Sequence, residues 1–446
     1  MTKKLSLLIL IALTALLAAA CDSNSTETLE RKMFKVRIEN IAKEYKFADS
    51  GVFNTPVNAS SPAPLAPGGA YEFTVKAFPG SKLSFAAMFV HSNDLFYAPD
   101  GNGISLYDNN GMPVSGDITS RIKLWDAGTE INQEPGLGAD QAPHQSGANT
   151  GSADPHANVR LAEDEYSNLP SVNEVLEVTV EPTSVNRFKV KIENVSSEHS
   201  IHTSDGNVLA ALIAPGVWVV HSANNPLFEV NKPDFGEGLE ALAEDGNPAV
   251  LYENLKEETG ITHLFAPGVF VVHTASAPVF RAGQPDRGEG LEALAEDGDP
   301  SMLAANLNGK DGISLVGVFN MPVGSSAPAP IAPVGVYEFE FDAIEKDYLS
   351  FASMLVQSNE LFIAPSDAGI KLFESSDPIS GDITELIMLW DARTEVNEEP
   401  GFGINQAPRQ SAANTGAAEN GALRIVNDGY VYPNLSDIVR VTIESN

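Results

Sequence analysis

The chain has 446 residues, 43% of them hydrophobic, with 60 Asp and Glu against 27 Lys and Arg for a formal net charge of −33. So acidic a balance argues against nucleic acid, whose phosphates are held by Lys and Arg, and against direct adhesion to anionic lipid unless cations bridge. A single cysteine removes internal disulfides, so stability must come from large cores, and the length suits two or three domains.

Lys3 and Lys4 precede an apolar run from Leu5 to Ala20, broken only by Ser6 and Thr14, and Ala18-Ala19-Ala20 lead into Cys21. This is the pattern of a secretory signal over residues 1–20. It resembles a bacterial lipoprotein signal, which would make Cys21 the lipidated first residue of a mature protein anchored in the cell envelope, facing the periplasm or the exterior. Ala18 stands where such signals more often carry Leu. No other apolar stretch is long enough to span a bilayer. Residues 21–33 read as a polar tether.

Phe34-Lys35-Val36-Arg37-Ile38 alternates apolar and charged residues with the period of a half-buried strand. Tyr71 to Val75, Leu83 to Val90, Ile122 to Trp125 and Val175 to Val180 read as strands too, separated by Gly- and Pro-rich loops. Many short strands with such loops predict a mainly β protein of antiparallel β-sandwiches. The first sandwich is expected over 34–182. Phe188-Lys189-Val190-Lys191-Ile192 repeats the opening strand, so a second module is expected over 187–446. In that module an insert at 213–308 is itself duplicated, Ala214 to Leu255 matching Ala266 to Leu307. Each unit reads as a strand followed by two short helices, with Gly246 in the left-handed position that ends a helix and Asn247-Pro248 opening the next.

The modules repeat each other almost without gaps. Residues 51–57 return as 317–323, Ser92-Asn93-Asp94-Leu95-Phe96 as Ser358-Asn359-Glu360-Leu361-Phe362, Trp125-Asp126-Ala127-Gly128-Thr129-Glu130 as Trp390-Asp391-Ala392-Arg393-Thr394-Glu395, and Asn149-Thr150-Gly151 as Asn414-Thr415-Gly416. Carboxylates are kept at Asp94, Asp126 and Glu130, and again at Glu360, Asp391 and Glu395. Asp126 closes an apolar strand and Gly128 permits a tight turn that returns Glu130 toward it. Loop carboxylates of this kind suit calcium, which takes six to eight oxygens in a flexible geometry; the alternative is solvated acidic loops. Asn132/Asn397 and Glu134/Glu399 are also retained, as further oxygens near the metal or as loop hydrogen-bond partners.

Other chemistry is less well supported. Asp108-Asn109-Asn110-Gly111 lacks the later ligands of an EF-hand. Zinc is disfavoured because His91 and His144 correspond to Gln357 and Arg409; only His221 and His273 match, and a His at a strand end is more often structural. Trp125 and Trp390 read as core aromatics. No nucleophile elbow or repeated Ser, His and Asp set is present.

These blocks resemble the spondin amino-terminal domain, the module of F-spondin and mindin. The match rests on Ser92 to Phe96, on Trp125 to Glu130 and on Glu289-Gly290-Leu291-Glu292-Ala293-Leu294-Ala295-Glu296-Asp297-Gly298-Asp299. The resemblance implies a β-sandwich of about eight strands similar to calcium-dependent lipid-binding sandwiches. It also implies a calcium held by Asp94, Asp126 and Glu130 and by Glu360, Asp391 and Glu395, and adhesion or recognition rather than catalysis. Two departures are the missing helical insert of the first module and Glu130, where animal domains usually carry Asp. The expected function is calcium-dependent recognition of a surface glycan or protein. The alternatives are an envelope scaffold whose loops calcium stiffens and, last, a glycan hydrolase using Asp126 and Glu130.

Overall fold

The computed structural model describes residues 30–162, 166 and 169–446. The expected signal and Cys21, with most of the tether, lie outside the described residues. The fold is mainly β, and its named strands pair antiparallel. No helix among the described residues is long and apolar enough to cross a membrane.

Two large sheets of seven strands and two four-stranded sheets carry the architecture. Side chains of the first large sheet (Leu83, Phe85, Tyr97, Leu124, Trp218) share one core with Tyr71, Val75, Val178, Val190 and Ile192 of a four-stranded sheet. A second core is built the same way from Phe270, Phe351, Ile363 and Leu389 against Val36, Ile38, Tyr337, Val441 and Ile443. The four-stranded sheets bury one face, so their long strands alternate buried and outward positions over most of their length. In Lys32–Asn40, Phe34, Val36, Ile38 and Asn40 are buried while Lys35 and Arg37 turn outward to Glu338. The central strand Lys82–Phe89 is buried at nearly every position. Its second face lies under the helices Leu239–Asp245 and Ala249–Glu257, whose Leu239, Leu242, Leu251 and Leu255 pack on Ala86, Phe96, Val217 and Trp125.

Strand pairing overturns the expected module boundaries. The amino-terminal strand Lys32–Asn40 belongs to the second sheet pair, between Val336–Ala343 and the carboxy-terminal Val439–Ser445. Its near-copy Arg187–Asn194 completes the first pair instead, between Ala70–Lys76 and Leu176–Ser184. The duplicated insert is divided likewise. Ile213–His221 joins the first large sheet between Phe47–Phe53 and Lys82–Phe89. Phe265–His273 takes the same place in the second, between Ile313–Phe319 and Tyr348–Leu355. Each sheet pair therefore has one strand-and-helices unit, and the first does not lack it. Residues 47–260 form the first pair, and the second joins 32–42 to 263–446. Two near-identical strands fit two near-identical slots, and their chain positions alone cannot say which fills which.

Those strands end on an asparagine that ties the two sheets together. Asn194 Nδ2 donates to Leu65 O at 3.0 Å and Ala211 O at 2.8 Å, and its Oδ1 accepts from Ser196 N at 3.0 Å. Asn40 does the same with His263 O and Ile331 O, both at 2.9 Å, and with Ala42 N at 3.0 Å. Both residues are fully buried. Replacing either with Leu strands backbone groups in the interior, at about 1–3 kcal/mol for each one left unsatisfied. Urea unfolding should show Asn194→Leu destabilising the first transition and Asn40→Leu the second; equal midpoints to wild type would refute the tie.

Candidate metal centre

The strands Leu95–Pro99 and Ile122–Asp126 pair with Leu95 opposite Asp126. This register brings the Ser92-Asn93-Asp94 segment and the loop leaving Asp126 to one end of the large sheet, where Ala127 N donates to Asp94 O at 3.1 Å. Asp94 is fully buried, and its Oδ2 accepts from Thr129 N (2.8 Å), Thr129 Oγ1 (3.2 Å) and Glu130 N (3.1 Å). Its Oδ1 is buried and, among the described residues, has no hydrogen-bond partner. Burial pushes the Asp94 carboxyl above its ordinary range, and the N–H groups of Glu130 and Thr129 oppose this.

Asp126 is also fully buried. Its Oδ1 accepts from Gly128 N at 2.6 Å, and its Oδ2 takes the Asn132 amide and Arg160 Nη2, the latter at 2.7 Å. Arg160 stands opposite Asp126 in a short strand pairing, and the same nitrogen lies 2.7 Å from Asp154 Oδ2. Gly128 has φ of 71°; Arg393 holds the same left-handed turn in the second copy at 58°, so glycine is favoured there without being required.

Glu130 does not complete this cluster. Its Oε1 accepts from Gly151 N at 2.7 Å and its Oε2 from Asn93 Nδ2 at 3.1 Å, so its carboxylate braces two loops. A Cβ on Gly151 would lie 2.0 Å from Glu130 Oε2, and one on Gly416 would lie 2.1 Å from Glu395 Oε2. That close approach accounts for the glycine in both copies of Asn-Thr-Gly. Glu395 likewise accepts from Gly416 N at 2.7 Å.

In the second copy, carboxylate oxygens of Glu360, Asp391 and Glu419 lie within 4.8 Å of one another. Glu360 is fully buried; its Oε2 accepts from Thr394 N, from Thr394 Oγ1 at 2.7 Å and from Glu395 N at 2.8 Å, while its Oε1 has no partner among the described residues. Burial, with the nearby Asp391 charge, pushes Glu360 up to about 8. Asp391 accepts from Arg393 N and pairs with Arg424, both at 3.0 Å, and Arg393 reaches Glu419.

Of the predicted triads, strand pairing sets the Asp94 segment beside Asp126, the carboxylates of Glu360 and Asp391 come together, and Glu130 and Glu395 brace loops. The third carboxylate beside Glu360 is Glu419. Its counterpart is Asp154, since Asp154 N donates to Thr129 O at 3.1 Å as Glu419 N does to Thr394 O at 2.8 Å. Sequence reasoning missed these two and the paired Arg160 and Arg424. Glu134 and Glu399 are elsewhere: Glu134 accepts from Ser204, and Glu399 pairs with Lys76 and Arg187 of the other sheet pair. Asn132 holds Asp126. His221 and His273 are structural, each with one ring nitrogen on a serine hydroxyl and the other on a backbone carbonyl. Trp125 and Trp390 are core residues whose indole N–H groups reach backbone carbonyls.

The donor set is all oxygen, and each copy keeps a buried carboxylate oxygen without a protein donor. Such a set fits a hard cation such as calcium. Asp126 and Asp391 are already neutralised by arginine, which leaves Asp94 Oδ1 and Glu360 Oε1 as the strongest open acceptors. The chain matches no protein-family model, and no curated protein is similar to it in sequence.

Proposed function

We propose that this is a lipid-anchored, extracytoplasmic protein of spondin type that binds calcium in each sheet pair and recognises a surface glycan or protein without catalysis. What carries the reading is Glu360, a fully buried carboxylate with one unpartnered oxygen, beside Asp391 and Glu419. An unpaired charge is very costly to bury, and a bound cation removes that cost. Asp126 is held by Arg160, Asn132 and Gly128, and Glu130 by Gly151 and Asn93, so neither is placed as an acid or base for a hydrolase. The bracing by Glu130 and Glu395 also fits a scaffold in which calcium merely stiffens loops. Partner capture from envelope extracts distinguishes the two, because only recognition through the metal site is lost in chelator.

Calorimetry on the full chain should show uptake of calcium, with Asp94→Asn and Glu360→Gln each silencing one sheet pair. Because only the folded state binds, calcium at a hundredfold its dissociation constant should add about 2.7 kcal/mol of stability. Absence of any heat or melting shift at millimolar calcium would end the proposal.

A further inference from the structure

The helix Leu239–Asp245 carries one residue that its packing does not explain. Leu239, Leu242 and Ala243 face the core, and so does Glu244, which is only 3% exposed. Neither Glu244 oxygen has a hydrogen-bond partner among the described residues. Glu130, Glu240 and Asp94 are acidic neighbours that disfavour its ionisation. Burial first, and these neighbours next, make an ionised carboxylate costly in this position without a cation.

The second copy shows where this side chain is aimed. Glu296, 2% exposed on the helix Leu291–Asp297, has its Oε1 2.6 Å from Thr394 Oγ1. The same hydroxyl is 2.7 Å from Glu360 Oε2. One hydroxyl has one proton and can donate to only one of the two, so as ionised carboxylates Glu296 and Glu360 would meet across it one donor short. The helix is also fastened to the loop that follows the Trp-Asp-Ala run. Gln145 Nε2 donates to Asp245 Oδ1 at 2.7 Å and Asn149 Nδ2 to Glu240 Oε1 at 2.8 Å; Gln410 with Asp297, and Asn414 with Glu292, repeat both bonds.

Resting on the calcium reading above, we infer that Glu244 and Glu296 are metal ligands, delivered by the helices to the unpartnered oxygens of Asp94 and Glu360, so that one cation ties each helical unit to its sheet. The Leu-Ala-Glu-Asp-Gly block is then part of the site and more than packing. This gives the duplicated helical unit a reason to occur once per sheet pair: each cation site needs its own helix.

The test uses the full chain and compares wild type with Glu244→Gln, Glu296→Gln and the control Glu253→Gln, an exposed residue of Ala249–Glu257 whose carboxylate meets Lys256. Glutamine keeps the shape but not the charge. Calcium titration by calorimetry should show each of the first two variants losing one site, by tenfold or more in affinity, with the control unchanged. Hydrogen exchange with and without calcium should show metal-dependent protection of 239–257 and 291–307 in wild type, lost from the corresponding helix in each variant. Both variants should fold in chelator, since a neutral side chain is easier to bury; circular dichroism checks this. Calcium affinity within twofold of wild type in both variants, or helices whose exchange ignores calcium, would overturn the assignment while leaving calcium binding intact. A wild type that takes up no calcium would overturn both.

Discussion

A fragment of residues 47–260 should unfold in one cooperative transition, whereas 34–182 should not fold. The longer piece holds every strand of the first sheet pair and both covering helices, and Gly260 N closes it on Phe47 O at 3.0 Å. The 34–182 piece lacks Arg187–Asn194 and Ile213–His221, each of which lies between two other strands, and carries Lys32–Asn40 residues that have no partner there. The mirror experiment is complementation. Residues 261–446 alone lack the strand that fills the gap between Val336–Ala343 and Val439–Ser445. That strand buries Phe34, Val36 and Ile38 completely, at about 1.5–3 kcal/mol each, a sum that rivals the whole stability of an ordinary domain. Adding a peptide of residues 30–46 should restore a sharp thermal transition to 261–446, and a Val36→Lys peptide should not. A cooperative melt of 261–446 by itself would show that the strand is dispensable.

Much of this fold is written locally. The alternation in Phe34 to Ile38 and Phe188 to Ile192, the left-handed Gly246 and Gly298, and the core tryptophans each depend on a few neighbouring residues, and each is where the pattern puts it. The partner of a strand is not local. Phe34-Lys35-Val36-Arg37-Ile38-Glu39-Asn40 and Phe188-Lys189-Val190-Lys191-Ile192-Glu193-Asn194 offer the same buried face, so a repeat reveals how many slots exist without revealing which strand fills each. The site divides along the same line. Asp94 and Asp126 were legible because adjacent strands bring them together. Glu130 is harder to place from sequence: four-residue spacing can return a carboxylate toward Asp126, and Gly151 N, 21 residues on, holds it instead. Asp154, Arg160 and Glu244 enter from distant segments, and only their recurrence as Glu419, Arg424 and Glu296 could have marked them.

In chelator, the protein should lose stability as pH rises from about 6.5 to 8, the reverse of what paired surface carboxylates do. Burial pushes Glu244, Glu296 and Glu360 up to about 8, against 4.5 for an ordinary glutamate. The Thr394 hydroxyl opposes this only in part at Glu296, and acidic neighbours add to it at both helix glutamates. Below 4.5 all three groups are protonated whether the chain is folded or not, and their favourable burial as neutral acids is fully present. Between 4.5 and about 8 the folded protein keeps protons that the unfolded chain releases, so unfolding gains with each step in pH, by up to about 1.4 kcal/mol per unit for each proton held. Surface groups such as Asp117 and Asp382, whose hydrogen bonds to Thr119 and Thr384 hold them below the usual range, act in the opposite sense and only at lower pH. Buried His91, His221, His263 and His273, held below their ordinary 6.5 by desolvation, also act in the opposite sense up to that pH. Melting temperatures in chelator should therefore fall above it, and Glu296→Gln and Glu360→Gln should flatten the fall by removing the groups that ionise. Saturating calcium should oppose the fall in wild type, because a cation replaces the protons as the charge that these carboxylates need. A flat profile from about pH 6.5 to 8 in chelator would mean that the buried glutamates are not held protonated.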